Sequence, residues 1–279
     1  MLWNNVREYI GDNPISKRIA KKPLNHQELI IKTMKEYYEN NDYGRLYLPC
    51  GSGKSFIGYW NAIKILKCNK IFVVVPSLFL LSQVYELWAT EIAYDSENNY
   101  HFILIGSDME NKDILCEYKP TTNIDTITHE LNTNKIVVVL TTYQSSKLLI
   151  NACKKIEYSF DLGIYDEAHR TVGEQDKCFT NLLTSNIEKK RLFMTATEKI
   201  YNHDKSKIKS IVEKEKVLSM DNEKIYGKVI IKYSLREAIE DNVLCDYRII
   251  ASTINKKQFE CLVNCFIKNN NINFNIKTI

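Results

Sequence analysis

The ten residues YLPCGSGKSF, 47–56, constrain the fold more than any other part of the chain. An apolar run, GRLYLP at 44–49, enters a turn holding Gly51 and Gly53, and an amphipathic stretch leaves it at Lys54. A strand that turns tightly into a helix aims backbone N–H groups and the positive end of the helix dipole at one point, where phosphate oxygens bind. Gly51 and Gly53 would allow the turn and a close backbone approach. Lys54 would reach the β- and γ-phosphates, and the Ser55 hydroxyl would ligate Mg²⁺. The pattern G-x-x-x-x-G-K-[ST] is incomplete, because Leu48 stands where its first glycine belongs. Taken alone, the loop is compatible with a structural turn as well as with a nucleotide site.

A second motif decides between them. LGIYDEAHR, 162–170, ends a hydrophobic run in two adjacent carboxylates. An isolated Asp-Glu reads most simply as a solvated strand end. Placed about 110 residues after a phosphate loop, it reads as the partner of that loop. Asp166 would hold Mg²⁺ through the ion's water shell, and Glu167 would orient or deprotonate the attacking water. Together the two motifs describe a site that hydrolyses a nucleoside triphosphate.

The rest of the chain alternates short β-branched runs with longer amphipathic segments, the pattern of a parallel sheet covered by helices. Strands are expected at 44–49, 70–76, 101–106, 135–142, 160–166 and 190–197. Helices are expected at 25–40, 54–68 and 77–92. The runs 71–75 and 136–140 lack polar alternation, as central strands buried on both faces do. The long polar stretch from about 95 to 134 reads as a helix and loops decorating the sheet, and 203–216 as a solvated helix of mixed charge. After 220 the texture changes: GKVIIKYS (227–234) and CDYRIIAST (245–253) read as strands around a short helix at 235–242. A last helix over 256–268 would carry Cys261 and Cys265 on one face.

Composition excludes little. A net charge of +4 makes no electrostatic case for nucleic acid by itself. The eight cysteines form no CxxC pair and no zinc-spaced cluster, and no apolar run approaches the roughly 18 residues of a membrane span. The expectation is a protein of a reducing compartment, without a membrane and not secreted.

In this order and spacing, these residues resemble the N-terminal motor domain of superfamily 2 helicases and translocases of the DEAH-box type. The likeness is strongest to the motors of type III and type ISP restriction enzymes and to predicted helicases of bacteria, phages and giant DNA viruses. In that superfamily the position of Leu48 need not be glycine. The resemblance implies an α/β, RecA-like P-loop NTPase domain with a mostly parallel central sheet flanked by helices, using ATP and Mg²⁺. NHQ at 25–27 resembles the adenine-reading motif, so Gln27 would join Pro49, Cys50, Gly51, Ser52, Gly53, Lys54 and Ser55 in holding the nucleotide. Lys54, Asp166 and Glu167 would be catalytic, with the metal on Ser55 and Asp166. VVVPSLFLLSQ (73–83) and VVVLTTYQS (137–145) resemble motifs Ia and Ib, which grip the nucleic-acid backbone. They implicate Pro76, Ser77, Gln83, Thr141, Thr142, Tyr143 and Gln144. RLFMTAT (191–197) resembles motif III, so His169, Thr195, Ala196 and Thr197 would couple the ATP site to the strand-binding face.

GSD (106–108), SMDNEKIYG (219–227) and LREAIEDNVLCDYRI (235–249) resemble connecting segments of the restriction-type group. Two departures stand out. Glu198 and Lys199 follow motif III where Pro and Arg are usual, and Gly163 and Tyr165 replace aliphatic residues before Asp166. The resemblance divides the chain into a RecA-like domain at 1–220 and a linker with the start of an incomplete second RecA-like domain at 221–279. That second domain, in cis or in trans, would supply the arginine finger. The expected function is an ATP-dependent helicase or translocase acting on nucleic acid, DNA ahead of RNA. An RNA helicase and an ATP-binding switch with little turnover are the alternatives. The expected setting is cytoplasmic, or a viral replication site if the chain is viral.

Overall fold

The computed structural model describes residues 20–95, 100–107, 120–174, 179–201 and 217–247. The chain opens with α1 (Asn25–Tyr38) and β1 (Tyr43–Tyr47). Helix α2 (Lys54–Trp60) runs directly into a π-helical turn (Asn61–Ile65), and β2 (Lys70–Val75) follows. Next come α3 (Leu78–Asp95), β3 (Tyr100–Ile105), α4 (Ile124–Leu131), β4 (Ile136–Thr142), α5 (Ser146–Lys155) and β5 (Phe160–Asp166). After a 3₁₀ turn (Ala168–Thr171) lie β6 (Gly173–Glu174), α6 (Asn181–Ser185), β7 (Glu188–Thr195), β8 (Val217–Leu218), α7 (Glu223–Tyr226), β9 (Lys228–Lys232) and α8 (Leu235–Glu240).

Seven strands form one sheet in the order β3-β4-β2-β5-β7-β1-β9. Every pair in it is parallel. This is the expected architecture, and the alternation of side chains explains both of its faces. Ile71, Val73 and Val75 point to the face covered by α1, α2 and α3, where Ile30, Met34, Ile57, Trp60, Leu81 and Trp88 close the core. Phe72 and Val74 point the other way, toward Ile127, Leu131, Leu149 and Ile150 of α4 and α5. Strand β2 therefore has no solvated face, and each large side chain it buries is worth about 2 kcal/mol.

The two unusual residues before Asp166 prove to be a matched pair. Gly163 lies opposite Phe72 across the β2–β5 ladder. A Cβ on it would fall 2.4 Å from the Phe72 ring, so glycine leaves the space that the ring fills. Tyr165 stacks on Phe193 at 4.8 Å, and its hydroxyl donates to Glu188 Oε1 at 2.6 Å. The same oxygen accepts from Arg191 Nε at 2.6 Å in a fully buried ion pair. Burial pushes the Glu188 carboxyl up, while Arg191 and Tyr165 pull it down.

At the other edge, β9 pairs with β1, with a register shift between Arg45 and Leu46. Helix α8 is capped by Ser234, whose side chain and that of Glu237 form a reciprocal capping box. Compact packing continues to Leu244, and a second unit begins at Cys245. The boundary expected at 220 thus falls inside the first unit, because β1 offers a free edge that β9 completes. The strand expected at 245–253 does not start within 245–247, and its remainder lies outside the described residues. The helices expected at 203–216 and 256–268, with Cys261 and Cys265, also lie outside them, as does Asp108 of GSD.

Candidate nucleotide site and adjoining loops

Strand β1 does not bend at Leu48. That residue is fully buried, and its N–H donates to the Thr195 carbonyl at 2.9 Å, which prolongs the β1–β7 ladder by one step. The chain turns later, at Gly51 and Gly53, both with φ of +85°. Only there is the left-handed conformation required, so the first position of the motif has no need of glycine. Ser52 closes the turn, with its N–H and Oγ both donating to the carbonyl of buried Pro49. Cys50 is an exposed free thiol at the loop's outer side.

Two side chains of α1 hold this loop from behind. His26 Nε2 and Gln27 Nε2 each donate to the Ser52 carbonyl at 3.1 Å. The other end of the Gln27 amide accepts from the Leu24 N–H at 2.9 Å. The amide expected to face adenine is thus bonded at both ends within the protein. A Cβ on Gly53 would lie 2.3 Å from Gln27 Nε2, which shows how closely helix and loop approach. The His26 ring stacks on Tyr233 at 5.3 Å, and Leu244 comes within 2.9 Å of where a Gly51 Cβ would sit. The segment after β9 therefore walls the loop. Sequence reasoning did not assign Tyr233 or Leu244 here, because the strand pattern of 227–234 carries no sign of its pairing with β1.

Facing the loop is the end of β5, which lies next to β7, itself next to β1. Lys54 Nζ donates to the Leu48 carbonyl at 3.4 Å and stands 3.7 Å from Glu167 Oε1. Asp166 is buried, and its Oδ1 accepts from the Glu167 N–H at 3.0 Å. Burial, reinforced by the charge of Glu167, raises the Asp166 carboxyl to about 6, against the opposing pull of Lys54 and that N–H. Glu167 adopts the left-handed conformation, φ 49° and ψ 48°, which few non-glycine residues take. The chain can thus turn at once into the 3₁₀ segment that carries His169.

His169 Nδ1 lies 2.9 Å from Thr195 Oγ1 and 3.3 Å from Glu167 Oε2. The Thr195 hydroxyl already donates to the Thr197 carbonyl at 3.2 Å, and it accepts from the Thr197 N–H at 3.3 Å. The Glu167 carboxylate can only accept, so a proton on Nδ1 suits both of these neighbours. Burial lowers the His169 pKa although Glu167 raises it, which favours a neutral ring with Nε2 free to accept. Lys54, Asp166, Glu167, His169, Thr195 and Thr197 thus form one chain of contacts. Ala196 sits half-buried between the two threonines.

The motif Ia and Ib residues divide. Ser77, Gln83 and Gln144 are exposed, whereas Pro76, Thr141, Thr142 and Tyr143 are buried. Thr142 Oγ1 bonds to Ser145 Oγ at 3.1 Å, and the Tyr143 hydroxyl donates to the Asp166 carbonyl at 2.8 Å. These buried side chains brace the ends of their strands, and the exposed side chains of the set are those of Ser77, Gln83 and Gln144. Glu198 also has a place. It accepts from the Tyr47 hydroxyl at 3.1 Å and from Lys232 Nζ at 2.9 Å, and Arg45 stands 3.9 Å away. These contacts tie the exit of motif III to β1 and β9.

Comparison with known proteins bears on the family and the fold. A family described as the type III restriction enzyme, res subunit, matches residues 20–200. The probable helicase A859L of African swine fever virus is 32% identical over 221 residues, covering 76% of this chain and 22% of that protein. The chain therefore spans about a fifth of that relative's length. Among solved structures, the ATP-dependent type ISP restriction-modification enzyme LlaBIII bound to DNA superposes with a TM-score of 0.65 at 27% identity. That match covers 83% of this chain and 16% of LlaBIII. A nuclease-deletion mutant of the type ISP enzyme LlaGI, in complex with a DNA substrate mimic, gives 0.61 at 25% identity, covering 90% and 23%. The RecA-like fold and the superfamily 2 kinship expected from the motifs both hold, and the chain belongs to the family of the type III restriction enzyme res subunit.

Proposed function

We propose that this chain is the ATP-binding motor domain of a translocase or helicase that acts on DNA. The observation that carries this reading is the contact chain from Lys54 through Glu167 and His169 to Thr195. It lies beside a loop whose two left-handed glycines leave the backbone open to phosphate. ATP with Mg²⁺ would supply the phosphoryl group and the charge that neutralises it in transit. The donor set suits that pair. A buried carboxyl raised to about 6 stands where a divalent cation would relieve it. No group of three or more His, Cys, Asp or Glu among the described residues is arranged to hold a metal ion. A metal would therefore rest on Asp166, Ser55, phosphate oxygens and water, the sparse protein ligation that Mg²⁺ accepts.

On this reading, the N–H groups of 51–55 hold the phosphates, and Lys54 leaves Glu167 to reach them. Glu167, freed from Lys54, takes the proton of the attacking water. His169 keeps Glu167 and Thr195 in register, so that motif III follows the state of the site. Pro49, Cys50 and Gln27 border the nucleotide, with Gln27 exchanging its bond to Ser52 for the base. Ser77, Gln83 and Gln144 supply exposed contacts to the tracked strand. DNA is preferred because LlaBIII and LlaGI, the structural relatives, are bound to DNA or its mimic. A second RecA-like domain, in cis or in trans, completes the machine. A cytoplasmic or viral replication setting accords with the viral relative.

Steady-state ATP hydrolysis with duplex DNA, single-stranded DNA and single-stranded RNA, beside Glu167→Gln, tests the reading. Stimulation by DNA that disappears in the variant is expected. Stimulation by RNA alone would move the protein to an RNA track. Hydrolysis unaffected by every polymer would overturn the motor.

A further inference from the structure

The motor reading assigns the loop after β4 to the polynucleotide and the end of β5 to hydrolysis, but these two strands are not neighbours. Strand β2 lies between them. Two inter-strand spacings, roughly 9.5 Å, separate their tips. One buried side chain crosses that distance. Tyr143 follows directly on β4, is fully buried, and donates its hydroxyl to the Asp166 carbonyl at 2.8 Å.

The carbonyl it holds is special. The Asp166 C=O and the Glu167 N–H belong to one rigid peptide plane. Tyr143 clamps the carbonyl side of that plane, and Asp166 Oδ1 clamps the N–H side at 3.0 Å. Tilting the plane changes φ of Glu167, which sits at +49° in a region that must be enforced by its surroundings. It would also move both Glu167 oxygens, one 3.7 Å from Lys54 and the other 3.3 Å from His169. Burial holds the Tyr143 phenol well above its usual range, so it keeps its proton.

The backbone of Tyr143 is tied to both loops that would grip the polymer. Its N–H donates to the Val75 carbonyl at 3.1 Å, one residue before Pro76 and Ser77. Its carbonyl accepts from Ser146 Oγ at 2.7 Å, where α5 begins beside exposed Gln144. On the motor reading, a strand pressing on either loop would displace the root of the tyrosine, while its tip is bonded to the Asp166 carbonyl.

We propose that Tyr143 is a positioning residue through which polynucleotide in the loop after β4 sets the orientation of the Asp166–Glu167 peptide, and hence of the general base. The inference rests on the motor reading.

Its test is the ratio of ATP hydrolysis rates with and without saturating polynucleotide, measured in the full-length protein for wild type, Tyr143→Phe and Ser146→Ala. Tyr143→Phe keeps the ring and removes only the donor. Ser146→Ala keeps the donor and loosens its root. In both variants the ratio is expected to fall at least fivefold, toward one. The KM for ATP and the polymer concentration at half-stimulation should stay within about twofold. A tyrosine that only stabilised the fold would lower the active fraction, scale both rates equally and leave the ratio as in wild type. An unchanged ratio in a stimulated protein overturns this inference and spares the motor. A wild type that no polymer stimulates overturns both. If Tyr143→Phe yields no folded protein, the ratio for Ser146→Ala decides.

Discussion

Replacing Asp166 by Asn should make the nucleotide-free protein more stable while removing its hydrolysis. The side chain is 8% exposed, and its carboxyl is raised to about 6 from an ordinary 3.8, first by burial and then by the charge of Glu167. A carboxyl raised in the folded state binds its proton more tightly there than in the unfolded chain. The associated stability is fully present below about pH 4 and is lost as pH rises through about 6. Each pH unit of that gap is worth about 1.4 kcal/mol, so the ionised form costs about 3 kcal/mol at pH 7.5. Asn stands in for the protonated acid and keeps an oxygen for the Glu167 N–H. Its amide N–H₂ needs partners of its own, which makes about 3 kcal/mol an upper value. For a unit of this size that corresponds to a rise in Tm of roughly 5–10 °C. Thermal unfolding at pH 5, 6 and 7.5, without nucleotide or Mg²⁺, reads the effect. The variant should gain most at pH 7.5 and least at pH 5. A variant no more stable than wild type at pH 7.5, or a gain that does not shrink on acidification, would refute the reasoning.

Lys54→Ala should raise the Kd for a labelled ATP analogue at least 100-fold while the circular dichroism spectrum stays that of wild type. Gly53→Ala places a methyl 2.3 Å from Gln27 Nε2 at a φ of +85° and should cost about 1–3 kcal/mol in denaturant unfolding. Adding Gln27→Ala should recover the part due to the clash and leave the part due to the backbone. Arg191→Met leaves Glu188 buried without its ion-pair partner, 2.6 Å away in the native protein, and should cost about 3–5 kcal/mol. The double variant with Glu188→Gln should be more stable than the single one.

Much of this molecule is legible in the order of its residues because the order is periodic. The buried runs 71–75 and 136–140 had to be central strands, since neither has a polar face to offer water. Asp166 and Glu167 sit where one strand stops and Lys54 follows the turn after another, and the parallel sheet brings such ends to one edge. What stayed illegible is contact between side chains distant in sequence. Nothing in TTYQS distinguishes a tyrosine that faces a ligand from one turned inward onto Asp166. Nothing near Tyr233 announces that its ring lies on His26. The change of texture after 220 was visible, but texture cannot tell an edge strand from a new domain. Only the free edge of β1 decides that.

On the motor reading, the sheet order also explains why coupling between polymer and nucleotide would need a dedicated path. Strands β5, β7 and β1 are adjacent, so Glu167, Thr195 and Lys54 converge although they are more than 140 residues apart at the extremes. The contacts among these residues therefore cohere through the ladder itself. The loops that would hold the polymer end β2 and β4, on the far side of β5. A side chain bonded at its tip can rotate the last peptide of β5, and in this fold Tyr143 is rooted on β4, anchored on β2 and bonded to the carbonyl at the end of β5. On the other flank, Glu198 draws the exit of motif III onto Tyr47 of β1 and Lys232 of β9. The hydrolytic turn is thus bordered by two side-chain ties. The tie through Tyr143 leads toward the track, and the one through Glu198 leads toward the edge from which the chain continues.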